Sequence, residues 1–288
     1  MTERESNHGD DGRLVSQCSL NDLLQRTLLS SPVVSVSEGD LVMEAANLLP
    51  HNLETFTDSL VVSRGEEPIG LVGGLEILEN LLVDPSTNLF RKKRIREIMS
   101  KNLTILNGGI TLGELIGIWT QTGRAFAIIP NKYHGYSAVS ARRLLEVGMS
   151  CKTGLRLGKI SKGRVLTFRR NQTVREIIKS MVKNRTRKLV LEGTPEFISD
   201  RIIIQRITRD LRCLEGVDGF LETDCGQFKL DVASEASEED TLENGCRMLY
   251  EMESPYLLLP NGVVTPWDVV LALGSKNLEC PSKPGGKP

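Results

Sequence analysis

A chain of 288 residues with 40% hydrophobic content carries apolar material for about two ordinary domains, which excludes a protein disordered throughout. Its 36 basic and 37 acidic residues leave a formal net charge of -1, so the surface as a whole is not built for nucleic acid or an anionic membrane. The six cysteines form no CxxC pair and no zinc-finger spacing with a histidine. Residues 1–12 lack the apolar core of a secretory signal, and no later apolar run reaches the roughly 18 residues of a membrane span. The expectation is a soluble, cytoplasmic protein with reduced thiols and no membrane contact.

The polar ends, 1–12 and 276–288, read as tails. Between them one order of elements recurs four times. The first unit has a β-rich run at 33–36, a helix over 37–49, strands at 60–62 and 69–72 and a helix at 75–82. The second has a strand at 103–106, a helix over 111–119, strands at 126–129 and 136–139 and a helix from Ala141. In the third, a strand at 165–168 precedes a helix with Val174, Ile177, Ile178 and Met181 on one face, strands at 189–191 and 197–198, and a helix over 202–211. The fourth has a strand at 228–230 and a helix over 241–250, whose leading Glu238, Glu239 and Asp240 suit its positive end. Strands at 256–259 and 263–264 complete it.

The last strand-to-helix junctions fall at Gly73, Ser140, Ser199 and Thr265, at intervals of 67, 59 and 66 residues. The fold class expected is α/β, built of four β-α-β-β-α repeats. The divisions are a tail and lead-in at 1–24, repeats at 25–86, 87–152, 153–214 and 215–275, and a tail at 276–288.

At the fourth junction Gly262-Val263-Val264-Thr265-Pro266-Trp267-Asp268 resembles the CBS-domain family, whose repeats end a strand with Gly-hydrophobic-hydrophobic-Thr/Ser-x-x-Asp and continue as a helix. The resemblance covers residues 25–274, but the motif is intact only here. Elsewhere Gly73 and Glu76, Ser140 and Arg143, and Ser199 and Ile202 stand at the hydroxyl and acid positions. The resemblance implies a stand-alone regulatory protein in which repeats one and two pair, as do three and four, by packing their sheets into two modules. Clefts between paired repeats would hold adenosine-containing ligands. The basic stretch 91–99 would be a linker feeding the second repeat, docking Ile95, Ile98 and Met99 on one face.

Asp268, acceptor-only when ionised, suits a ribose diol, and Thr265 with the first-turn amides suits a phosphate oxygen. Arg187 and Lys188 precede a third-repeat strand, from which related CBS pairs send basic side chains to the neighbouring ligand; they would neutralise phosphate. The competing reading of Thr265 to Asp268 is a helix start, with Thr at the N-cap, Pro at the first position and an acid at the third. Arg187 and Lys188 read equally well as a solvated basic turn, and Trp267 reads as packing. The implied ligand is AMP, ADP, ATP or S-adenosylmethionine, bound once, between repeats three and four.

No convergent nucleophile, acid-base pair or metal cluster is legible, and His8, His51 and His134 share no motif, so the expectation is no enzyme and no metal. The partner expected besides the ligand is a second copy of the chain or a regulated protein. A ligand-independent scaffold is the alternative. Nucleic acid ranks last, since the basic clusters lack aromatic interleaving.

Overall fold

Short β-branched runs alternating with amphipathic helices organise the chain into four α/β units, in a computed structural model that describes residues 13–29, 32–51, 59–133, 135–151, 153–161, 165–216, 219–275 and 278–279. After α1 (Leu20–Leu29), the first repeat comprises β1 (Ser35–Ser37), α2 (Val42–His51), β2 (Leu60–Arg64), β3 (Glu67–Val72) and α3 (Gly74–Val83). The short α4 (Thr87–Arg91) leads to α5 (Leu112–Thr122), β4 (Phe126–Asn131), β5 (Gly135–Ser140) and α6 (Leu145–Ser150) of the second. The third has β6 (Thr167–Phe168), α7 (Val174–Lys183), β7 (Lys188–Leu191), β8 (Glu196–Ser199) and α8 (Asp200–Arg209). A connecting strand β9 (Asp231–Val232) precedes the fourth, formed by β10 (Ser234–Glu235), α9 (Leu242–Glu251), β11 (Leu257–Leu259), β12 (Gly262–Val264) and α10 (Pro266–Ser275).

In every repeat the two central strands pair antiparallel, and the opening strand joins them in parallel. In repeat two that opening strand is reduced to a bridge between Ile105 and Ile128. The expected β-α-β-β-α order is therefore the observed one. Capping fixes where the helices start. The Thr111 and Thr173 hydroxyls accept the amides of Glu114 and Glu176 at 3.3 and 3.2 Å, and each Glu accepts its Thr amide in return, at 2.9 and 2.8 Å.

Several expected boundaries move. Residues 38–40 form a turn before α2, residues 141–144 form turns before α6, and α8 begins at Asp200. The fourth repeat opens at Ser234–Glu235 instead of 228–230. Phe228 instead packs edge-on to Phe220, 6.1 Å between ring centroids, in a core shared by repeats one and three. The C-terminal stretch is not wholly a tail, because Leu278 is buried and Glu279 bridges to Leu14. Residues 1–12 and 280–288 lie outside the described residues, whereas Val15, Leu20 and Leu24 of the expected lead-in are buried.

Two kinds of apolar contact assemble the repeats. Sheet faces join one to two through Val61, Leu71, Phe126 and Ile128, and three to four through Val190, Phe197, Tyr256 and Val263. The helical faces then stack the modules: α2 and α3 lie against α7 and α8, and α5 and α6 against α9 and α10. Repeat one thus shares a core with repeat three, and repeat two with repeat four.

The segments that lead into the repeats are exchanged within each pair. The first-turn amides of Leu112, Val42, Leu242 and Val174 donate to the carbonyls of Cys18, Lys93, Leu155 and Thr223, at 3.0, 3.1, 2.8 and 3.0 Å. Each of these otherwise orphaned helix N–H groups is thus satisfied by the chain entering its partner repeat. The basic 91–99 stretch, expected to feed repeat two, docks Ile95 and Ile98 in the core of repeat one, and Arg94 Nη1 donates to the Gly39 carbonyl at 2.9 Å. Sheet edges are covered in the same manner: Ser100 bridges Leu71, Pro32 bridges Ser137, and β9 pairs with β8.

Candidate functional site

At the junction of β12 and α10, Thr265 directly precedes the helix and Asp268 stands in its first turn. Thr265 donates its amide and its hydroxyl to the same oxygen, Oδ2 of Asp268, at 2.8 and 2.7 Å. Pro266 opens the helix, where no N–H is needed. Burial pushes the Asp268 carboxyl above its ordinary 3.8, and the bonds from Thr265 offset this only in part. Trp267 packs toward Trp119 of α5, 6.4 Å between ring centroids, and so serves the contact between repeats two and four.

The two basic residues go to different places. Lys188 crosses from repeat three to repeat four, where Nζ donates to the Pro255 carbonyl at 2.9 Å. It lies 5.3 Å from the Phe197 ring centre and 5.2 Å from that of Tyr256, within cation-π range. Burial and the nearby Asp268 charge push the Tyr256 phenol up to about 12. Lys188 thus sits at the seam of repeats three and four, between Phe197 and Tyr256. Arg187 meets an acid of its own repeat, its Nε donating to Asp200 Oδ2 at 2.6 Å.

At the other junctions the chain's own groups engage the corresponding side chains. Glu76 accepts the Gly73 amide at 2.8 Å and forms an ion pair with Arg124 of repeat two. Arg143 pairs with Glu146 at 2.6 Å, and Tyr250 of repeat four donates to that same carboxylate at 3.3 Å. Ser199 accepts the Ile202 amide at 3.3 Å and so caps α8.

A surface depression of about 650 Å³ runs along α5, lined among others by Ile105, Ile110, Glu114, Gly117 and Ile118. It includes none of Thr265, Asp268, Arg187 and Lys188. Its acid, Glu114, already caps Thr111, and its lining residues include no cation. Among the described residues no group of three or more His, Cys, Asp and Glu is arranged to hold a metal, and no helix is long and apolar enough to cross a membrane.

No family model and no curated protein matches the sequence. Among solved structures, a protein from Methanocaldococcus jannaschii, described as a candidate archaeal homologue of g-AMPK, superposes with a TM-score of 0.72 at 18% identity, over 86% of this chain and 98% of its own. Four α/β repeats in this arrangement are the fold of a tandem CBS-repeat protein. An uncharacterised conserved protein from Pyrococcus horikoshii matches the same fold with a TM-score of 0.51 at 10% identity, over 84% of this chain and 95% of its own. A CBS-domain containing protein from Agrobacterium tumefaciens matches with a TM-score of 0.39 at 18% identity, over 45% of this chain and 92% of its own. At these identities the likeness is one of fold.

Within this CBS fold, sequence reasoning overlooked the aromatic pair Phe197 and Tyr256, whose centroids lie 5.6 Å apart. It also overlooked Arg142, which is buried and donates to the carbonyls of Glu253 at 3.0 Å, Tyr250 at 3.3 Å and Met252. Nothing in a linear reading brings an arginine of repeat two to the end of a helix in repeat four. The Asp200 pairing had a signal: an acid directly after Ser199, thirteen residues from Arg187.

Proposed function

We propose that the chain is a non-enzymatic regulatory protein that binds an adenosine-containing ligand between repeats three and four and changes its conformation or partner binding in response. The observation that carries this reading is Lys188, a cation of repeat three seated against Pro255 and Tyr256 of repeat four, the residue whose phenol feels the Asp268 charge. A carboxylate for the ribose, a hydroxyl and helix start for a phosphate, and a cation from the facing repeat then share one cleft. AMP, ADP, ATP and S-adenosylmethionine are the ligands considered, and a cytoplasmic setting and a homodimer or regulated protein partner belong to the same proposal. A ligand of this kind acts through its different affinities for two arrangements of the repeats.

A thermal-shift panel of adenine and guanine nucleotides with S-adenosylmethionine tests it, since native-state binding raises stability by mass action. The expected result is stabilisation by an adenosine compound that Asp268→Asn abolishes. No stabilisation by any compound, or stabilisation unchanged in Asp268→Asn, overturns it. The second reading, a ligand-independent scaffold, is favoured by one observation: Asp268 Oδ2, Arg187 and Lys188 already have partners within the chain.

A further inference from the structure

We infer that the Arg187–Asp200 pair is an exchangeable contact: a ligand phosphate in the cleft takes Arg187 from Asp200, and the released carboxylate loosens the seam between repeats three and one at Gly74. This rests on the ligand reading above and specifies its regulation.

Asp200 is the first residue of α8 and is 1% exposed. Its Oδ1 accepts the Arg201 amide at 2.9 Å, its Oδ2 accepts Arg187 Nε at 2.6 Å, and its own amide donates to the Arg187 carbonyl at 3.0 Å. The start of β7 and the start of α8 are therefore tied together around one carboxylate. The partners differ in exposure. The Arg187 side chain is 27% exposed and that of Asp200 only 2%, so the arginine is the member a ligand can reach.

On its other side the Asp200 carboxylate rests against Gly74, the first residue of α3 in repeat one. A Cβ at position 74 would overlap both Oδ2 and Cγ of Asp200. One oxygen therefore faces the arginine and the neighbouring module together. Lys188, next in sequence, reaches Pro255 of repeat four. The two consecutive cations thus connect to repeat four directly and to repeat one through Asp200.

A phosphate is the stronger partner for a guanidinium, because it offers several charged oxygens in bidentate geometry. Once Arg187 turns to it, Asp200 is a buried charge without that counter-ion, a state that costs free energy and is relieved by movement or hydration. Movement of the carboxylate disturbs its contact with Gly74. Linkage requires the converse too: whatever displaces Asp200 from Arg187 strengthens phosphate binding. Adenosine, lacking phosphate, occupies the ribose position without drawing on Arg187.

The test uses the full chain, with AMP and adenosine as probes and hydrogen exchange read over α3. AMP is expected to speed exchange in the first turn of α3 while adenosine does not. Asp200→Asn, which weakens the competitor, should raise AMP affinity about tenfold and leave adenosine affinity unchanged. Gly74→Ala, placed in repeat one and outside the cleft, should shift AMP affinity in the same direction; if it does not fold, Asp200→Asn still decides. Equal α3 exchange with the two probes, or AMP affinity unchanged or lowered in Asp200→Asn, overturns the exchange. Binding that depends on Asp268 without any α3 response overturns the exchange alone, whereas absence of binding by every nucleotide overturns the ligand reading with it.

Discussion

The sulfur of Cys246 in α9 lies against the Cα of Gly148 in α6, so closely that a methyl group on the glycine would overlap it. Gly148 is needed here for space, since it lets the helices of repeats two and four approach. Cys246 is fully buried, and burial pushes its thiol far above the ordinary range, which makes it a packing group rather than a nucleophile. Gly148→Ala should therefore destabilise the chain by about 1–3 kcal/mol through overpacking. Gly148→Ala with Cys246→Ala should cost less than the two single changes summed, as a double-mutant cycle by chemical denaturation would show.

Arg142 closes the other end of the same contact. Its guanidinium meets the Tyr250 carbonyl in the last turn of α9, a group with no partner within the helix, and those of Met252 and Glu253 just beyond it. Arg142→Ala should cost about 3 kcal/mol, because several charge-assisted bonds of a buried guanidinium are lost together. Arg142→Lys should recover only part of this, since an ammonium cannot spread its donors as a planar fork does. Denaturant midpoints of the three proteins check the order.

Removing Arg187 should be costly even without ligand. It leaves Asp200 buried and charged, so Arg187→Ala is expected to destabilise by roughly 3 kcal/mol, and adding Asp200→Asn should restore a good part of the loss. A solvated arginine would give a change near zero in the same denaturation series.

The pH dependence of binding separates capping from ligand recognition. The folded Asp268 holds its proton more tightly than the unfolded chain does, because burial raises its value above 3.8. This residue therefore adds stability as pH falls through the raised value toward 3.8, and withdraws it at neutral pH. Ribose recognition by the carboxylate runs the other way and weakens as the acid protonates. Titration calorimetry with AMP should show affinity falling with pH in that window, and an affinity that stays constant there would exclude the ionised carboxylate from the contact.

The repeat was legible because the strand-to-helix junctions fall at near-regular intervals and helices with apolar faces, such as Val174, Ile177, Ile178 and Met181, recur between them. The opening strand of repeat four was not, because Ser234 and Glu235 are polar and exposed, while the apolar run beginning at Phe228 belongs to a turn whose ring packs elsewhere. The stacking of one on three and two on four was equally hidden, since periodicity shows that a helix has an apolar face but not which helix meets it. At the site, sequence placed Thr265 and Asp268 together, and the family resemblance implied for Arg187 and Lys188 a crossing to the facing repeat that Lys188 makes. Neither foresaw that Arg187 is held by Asp200, a contact that depends on β7 and α8 starting side by side.

The exchanged lead-in segments bear on the order in which the protein can be made. As the chain emerges from the ribosome, the first-turn amide of Val42 waits for the carbonyl of Lys93, and the edge of β3 waits for Ser100. Repeat one is therefore unfinished until the segment that introduces repeat two has been synthesised, and Val174 likewise waits for Thr223. A nascent single repeat exposes an open sheet edge and an uncapped helix, so the smallest piece able to close on itself is the pair.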